Sequence, residues 1–405
     1  MFDFIKNQTI FKDKYHTHSE AVIISCFFNP QKSPYRTKAF QKFYEDIKHL
    51  NHLIVECVIG NNEPQLPSSD NIQTIYSESF LWHKEACLNY AISRLPKKYK
   101  YVFWIDADVI FTNKKWLTDG VKKLQSGFNI IQPFEFCVHL EQDKLRPSYS
   151  ALKAMMQYLP NQYNSKVWRS FSATYEKFSE LSASIDYNTY SHVGFAWGAK
   201  REVLEQCKLY DKGLVGGADH IIALGAVGKL NHLSIRKSFT ENLDEIYIYQ
   251  KKLFEATLGK VGYIEGNLYH IWHGDIEKRE YLKRIQDFTL TTNTITKKDS
   301  NGLYVAPKGK DQYVRDYFDK REIKPKSADN IDPSFTKSDE QYIDFQNAIT
   351  SATIDMFGIP PSRLEEPLSF GGGDFGGGGA EGSYDESLKL ENIESIQDLS
   401  LGNFS

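Results

Sequence analysis

The chain has 405 residues, room for one large α/β domain with appendages, and its hydrophobic share of 41% is enough for a sizeable core. Lys and Arg number 49 against 52 Asp and Glu, a formal net charge of −3 that gives no footing for a polyanionic partner, so a nucleic-acid partner is disfavoured. No run reaches the ~18 apolar residues of a membrane span, the start lacks a signal-peptide core, and five cysteines form no CxxC pair, so a cytoplasmic protein without a membrane span is expected.

Residues 21–28 read as a buried strand ending at Asn29-Pro30, followed by a helix-like stretch over 37–50. Further strands are predicted over 53–59 and 72–76. Helical periodicity over 81–95 runs through Leu81, Ala86, Leu88, Ala91, Ile92 and Leu95. Tyr101–Phe111 is the most strand-like segment, and Asp106 and Asp108 interrupt it. This alternation predicts βαβ units, hence an α/β fold with a Rossmann-like, mostly parallel sheet flanked by helices. Such sheets bind ligands at the carboxyl ends of their strands.

Residues 148–192, rich in Tyr, Ser and Phe, are expected to form an acceptor-facing insertion, and 193–229 and 262–286 to complete the core. The expected organisation is a domain over 1–295, a charged, partly helical extension over 296–365 with an amphipathic helix within 338–357, and a flexible tail over 366–405. Seven of the nine residues 371–379 are glycine, and 371–405 carries seven acidic residues against one lysine, which suits a tether or a docking tail for a partner.

Asp106-Ala107-Asp108 carries the chemistry. Two residues apart at the end of a strand, the carboxylates share a face and can serve one site. Two charges leaving an apolar strand are costly without a compensating cation. A hard divalent ion, Mn²⁺ or Mg²⁺, suits carboxylate and diphosphate oxygens.

Five segments carry a family resemblance in order: Pro34-Tyr35-Arg36; Leu81-Trp82-His83-Lys84-Glu85-Ala86-Cys87-Leu88-Asn89 ahead of Trp104-Ile105-Asp106-Ala107-Asp108; Gly194 to Glu202; Gly216-Gly217-Ala218-Asp219-His220; and His270-Ile271-Trp272-His273-Gly274. Together they resemble glycosyltransferases of the GT-A type, nearest the β-1,4-galactosyltransferase-like group and its family-2-like bacterial relatives. The resemblance implies a GT-A fold and metal-dependent, inverting transfer of a sugar from a nucleoside diphosphate, a UDP-sugar first among donors, to a hydroxyl on a glycan, protein or other polymer. It implies Asp219 as general base, Asp108 and His273 as metal ligands with His270 and Asp106 as further ones, Asp106 otherwise orienting the ribose or a metal-bound water. Arg36 and Lys84 are candidates for nucleotide and phosphate contacts, or ordinary surface charges. Trp197 is either a sugar platform or a core tryptophan.

The sequence departs from the group at Ala218, where its eukaryotic members carry glutamate, and in lacking the animal enzymes' membrane anchor and disulfides. Three alternatives stay open: a nucleotidyltransferase, although Asn29-Pro30-Gln31-Lys32 lacks the glycines of a phosphate loop; a nucleotide-sugar hydrolase; and an inactive carbohydrate-binding or structural protein on the same scaffold.

Overall fold

Strand β1 (Ala21–Phe27) buries six of its seven residues without alternation, as expected of a strand covered on both faces. Strand β2 (His52–Ile59) is buried throughout, and β3 (Ile72–Ser77) lies beyond it. Helix α1 (Pro34–Ile47), opened by proline at its first position, links β1 to β2, and α2 (Lys84–Arg94) leads to β4 (Tyr101–Ile105). The computed structural model describes residues 14–156, 167–177, 191–239, 242–274, 279, 295 and 297–321.

The other strands are β5 (Val109–Phe111), β6 (Ile130–Gln132), β7 (Phe136–His139), β8 (Val167–Arg169), β9 (Ala196–Lys200), β10 (Val261–Tyr263) and β11 (Asn267–His270). Seven strands form a mixed sheet in the order β10-β6-β9-β4-β1-β2-β3; all neighbours are parallel except β9, which runs antiparallel to β4 and β6. The expected α/β fold with a mostly parallel sheet is therefore present. A second sheet has the order β5-β11-β7-β8.

Alternate residues of the large sheet feed two cores. Val22, Ile24, Val55 and Trp104 pack on one side with α2, α7 (Ala218–Ala226) and α9 (Leu243–Thr257). Ile23, Ile54, Phe103 and Ile105 pack on the other with α1 and α3 (Trp116–Gln125). Between them in sequence lie α4 (Tyr149–Met156), α5 (Phe171–Lys177), α6 (Arg201–Cys207) and α8 (Leu233–Ser238); α10 (Gln312–Arg321) follows β11.

The segment Tyr101–Phe111, which the two aspartates interrupt, forms two strands. β4 belongs to the seven-stranded sheet and β5 pairs with β11 in the other, so Asp106-Ala107-Asp108 is the turn between sheets.

Val314, Tyr317 and Phe318 of α10 share a buried cluster with Ile59, Phe80, Leu81 and Leu214. The amphipathic helix predicted within 338–357 and the glycine-rich tail lie outside the described residues. Among the described residues no helix is long and apolar enough to cross a membrane, and the five cysteines form no disulfide.

Candidate active site

The chain winds outward from β1 through β2 to β3, then returns to lay β4 on the other side of β1. Such a reversal opens a crevice at the carboxyl ends of the two central strands, the usual ligand position in open α/β sheets. Here the crevice is a cavity of about 470 Å³, floored by Phe27 and Asp106 and walled by Asp219, His192, His270 and Phe318.

One half of the cavity is built around Lys84 at the start of α2. Its ammonium lies 3.0 Å from Asp106, 3.2 Å from Asp219 and 3.7 Å from Glu85. Burial by itself would lower the lysine pKa, but these carboxylates outweigh it and hold the group well above its usual range. Glu85 is only 3% exposed, and burial pushes its carboxyl up to about 8 despite the adjacent lysine. Burial likewise raises Asp106, to about 6, against the lowering pull of Lys84 and with help from Asp219 and Asp108. Asp219 sits in the first turn of α7, behind Gly217, whose φ of 91° is a left-handed value that glycine adopts without strain. The helix N-terminus there favours a negative side chain.

The other half gathers Asp108, His270 and His273, whose ligand atoms all lie within 4.8 Å of one another. His273 Nε2 is 2.8 Å and His270 Nε2 3.7 Å from Asp108 Oδ2. Burial lowers the pKa of both histidines and Arg279 lowers them further, against the raising pull of Asp108; the net lowering favours the neutral imidazoles a metal ion needs. Arg279 Nη2 stands 3.3 Å from His270 Nε2 and 3.2 Å from His273 Nε2. A guanidinium only donates, so His273 Nε2 cannot accept from Arg279 and also donate to Asp108. Asp108 Oδ1 and His273 Nδ1 are buried with no hydrogen-bond partner among the described residues. A divalent cation bound by Asp108 Oδ2 and the two Nε2 lone pairs would remove this conflict, so the donor set fits a metal ion of the Mn²⁺ or Mg²⁺ kind.

Behind the metal-competent group lie two more histidines. His139 on β7 is in register with His270 on β11, and their Nδ1 atoms are 3.1 Å apart. His192 stacks flat on Phe195, with centroids 4.0 Å apart. Burial first, then His270 and Arg279, push its pKa down to about 3. Phe195 has φ 74°, a strained value for a residue with a side chain, of the order of 1–3 kcal/mol. Its carbonyl accepts the Asp106 N–H at 2.7 Å, so the strained peptide fixes the start of the aspartate turn.

The structure brings Arg36, Lys84, Asp106, Asp108, Asp219, His270 and His273 to one cavity. It divides the aspartate pair, sending Asp106 to Lys84 and Asp108 to the histidines, so alternation along one strand does not aim both at one ion. Trp197 takes the core position. It is 1% exposed, its indole N–H donates to Val193 O at 2.8 Å, and it stacks with Trp104. Sequence reasoning missed Glu85, His139, His192, Arg279, Phe318 and Arg321. Only Glu85 carried a local signal, a charge inside a helical face otherwise facing the core.

No family model matches the chain, and no curated protein matches it. Among solved structures, residues 1–349 of S. aureus TarS are similar over 74% of this chain and 71% of that one, at 11% identity and a TM-score of 0.31. A longer S. aureus TarS structure gives 11% identity and a TM-score of 0.30, covering 74% of this chain and 43% of that one. The 4-diphosphocytidyl-2C-methyl-D-erythritol synthase of Anaerococcus prevotii DSM 20548 gives 8% identity and a TM-score of 0.26, covering 76% and 96%. At scores this low the resemblance carries no functional argument, and the site is read from its own residues.

Proposed function

We propose that the protein is a glycosyltransferase of the GT-A type that moves a sugar from a nucleoside diphosphate to an acceptor hydroxyl with inversion. The observation that carries this reading is the two-sided cavity. A carboxylate anchored by lysine, Asp219, and a metal-competent group, Asp108–His270–His273, line the same 470 Å³ space at the switch point of the sheet.

In this reading the acceptor oxygen attacks the anomeric carbon while the bond to the diphosphate oxygen breaks and its electron pair leaves with the diphosphate. Asp219 takes the acceptor proton. Lys84 holds Asp219 and Asp106 in place from below, so its charge is committed to the carboxylates rather than to phosphate. Asp106 faces the ribose or a bound water. Asp108, His270 and His273 would hold Mn²⁺ or Mg²⁺, which when bound supplies positive charge beside the departing diphosphate. From the segment 148–192, Trp168, Ser191 and His192 line the cavity and would face the acceptor, while 157–166 and 178–190 lie outside the described residues.

The test is nucleotide release from UDP-, GDP- and dTDP-sugars, with Mn²⁺ or with EDTA, for the wild type, Asp108→Ala and Asp219→Asn. Release of one nucleoside diphosphate is expected, abolished by EDTA and by Asp108→Ala. Asp219→Asn is expected to cut turnover by ~10²–10⁴ while leaving donor binding intact. Release of sugar 1-phosphate, with the nucleotidyl group passing to an acceptor such as added pyrophosphate, would replace this reading with nucleotidyl transfer. A chain that binds no donor, with or without metal, would not be a transferase of this kind.

A further inference from the structure

Helix α9 carries an outer face that its own fold does not explain. Its inner side buries Ile246, Gln250, Leu253 and Thr257 against the core. Yet four of the seven large hydrophobic side chains exposed among the described residues, Tyr247, Ile248, Phe254 and Leu258, belong to this helix and its cap. Ile248 is 67% and Leu258 61% exposed. Leu258 closes the helix at φ 53°, a left-handed value that glycine takes more readily, so a leucine there is strained as well as exposed. Single exposed apolar residues are ordinary, but several gathered on one helix mark an interaction surface.

The order of residues along this face selects the partner. Ile248, Lys251, Glu255 and Leu258 recur at intervals of three, four and three, the spacing of a seam between paired helices. Lys251 and Glu255 are exposed, and neither makes an ion pair among the described residues. Laid antiparallel on a second copy about a twofold axis, the seam closes on itself. Ile248 meets the partner's Leu258 and Lys251 meets the partner's Glu255, and the symmetry makes each contact twice. A parallel pairing would set Lys251 and Glu255 against their own copies. An antiparallel slip of one heptad would set Asp244 against the partner's Glu255. Both alternatives oppose like charges, so one register is favoured. Phe254 adds apolar surface on one flank of the seam, while Lys252 on the other approaches its own copy and keeps the pair weak.

We propose that the outer face of α9 is a self-complementary interface through which two copies of this chain pair, helix antiparallel to helix. Ile248–Leu258 contacts close both ends, and Lys251–Glu255 ion pairs lie between them. From Ile248 to Leu258 the seam is about 15 Å long at ~1.5 Å per residue. Alone it is too short to bury the ~1,200 Å² of a tight specific interface, so the dimer dissociates in the micromolar range. The pairing is independent of the reaction proposed above and stands whether or not sugar is transferred.

Sedimentation velocity on the full chain across a concentration series reads the pairing. The wild type is expected to pass from monomer to dimer through the micromolar range. Lys251→Glu and Glu255→Lys each turn two attractions into two repulsions and should raise the dissociation constant by ~10-fold or more. Mixed in equal amounts, the two variants should associate with each other at near wild-type strength, since every pair is again of opposite sign. The double variant, Lys251→Glu with Glu255→Lys, should regain self-association for the same reason. Ile248→Ser is expected to weaken the dimer by ~10-fold. All three side chains are exposed, so the melting profile should hold throughout. A wild type that stays monomeric at every concentration overturns the proposal, as does a dimer indifferent to these substitutions. Single variants that lose the dimer and do not regain it on mixing would equally overturn it, because only the antiparallel register pairs Lys251 with Glu255.

Discussion

At the scale of single residues, the site depends on close approaches with no slack. Phe103 of β4 is fully buried and faces Gly198 of β9 across the antiparallel pair. A Cβ on Gly198 would lie 2.4 Å from two Phe103 ring atoms, and one on Gly120 would lie 2.9 Å from the same ring. Trp116, 5.5 Å away by centroid, closes the third side, so the ring has nowhere to move. Gly198→Ala is therefore expected to destabilise by about 1–3 kcal/mol, read as a lower urea midpoint with unchanged slope. Adding Phe103→Leu should restore part of the loss, because it removes the atoms the new methyl meets. An unchanged midpoint in the single variant would mean that β9 can shift away from β4, which its place between β4 and β6 opposes.

At the scale of elements, the first half of the sheet was legible because local pattern decided it. The strands expected over 21–28, 53–59 and 72–76 appear as β1, β2 and β3 with ends shifted by one residue at most. Their apolar runs can be buried in only one kind of layer. The interruption at Asp106 and Asp108 is legible, but the change of sheet there is not, since it is set by the pairing of β5 with His270 and Leu268, more than 150 residues later in the chain. The same long-range register brings His139 to His270, and nothing in Phe-Cys-Val-His near residue 139 announces it. Asp108, His270 and His273 were found through short motifs; Arg279 and Arg321 have none, and their place is fixed by tertiary packing.

Helix α10 is the element whose contribution was least visible. Its sequence is largely charged, yet Phe318 packs its ring against Phe28, Phe80 and Trp82 at centroid distances of 5.4, 5.5 and 5.7 Å. The same ring lines the cavity. Phe318→Ala is expected to cost about 3–5 kcal/mol of stability, as for other buried phenylalanines. Measured well below its lowered melting temperature, the variant should also bind the donor nucleotide more weakly, because Arg36 loses the ring it stands over. Full stability with full binding would place α10 outside the site.

At the scale of the whole molecule, the buried titratable groups set a stability optimum in pH. Burial lowers six histidines, His52, His83, His139, His192, His270 and His273. Below about 6.5 the unfolded chain takes up protons that these folded residues refuse, so stability falls on acidification. Three carboxyls, two buried and one half-buried, act in the opposite sense. Glu56, Glu85 and Asp106 are raised, so the folded chain retains protons that the unfolded chain releases, and stability falls as pH rises through each gap. Asp106 completes its part by about 6, whereas Glu85 spans from its ordinary 4.5 to about 8. Between about 4.5 and 6.5 the more numerous histidines win; from there to about 8 Glu85 remains, with a slope of at most about 1.4 kcal/mol per pH unit. Stability is therefore expected to peak near pH 6.5. Glu85→Gln, which keeps the shape and removes the ionisation, should flatten the decline from 6.5 to 8 and leave the acid limb in place. Urea midpoints measured at half-unit steps from pH 5 to 9 decide it. An undiminished decline in Glu85→Gln would move the titrating group elsewhere.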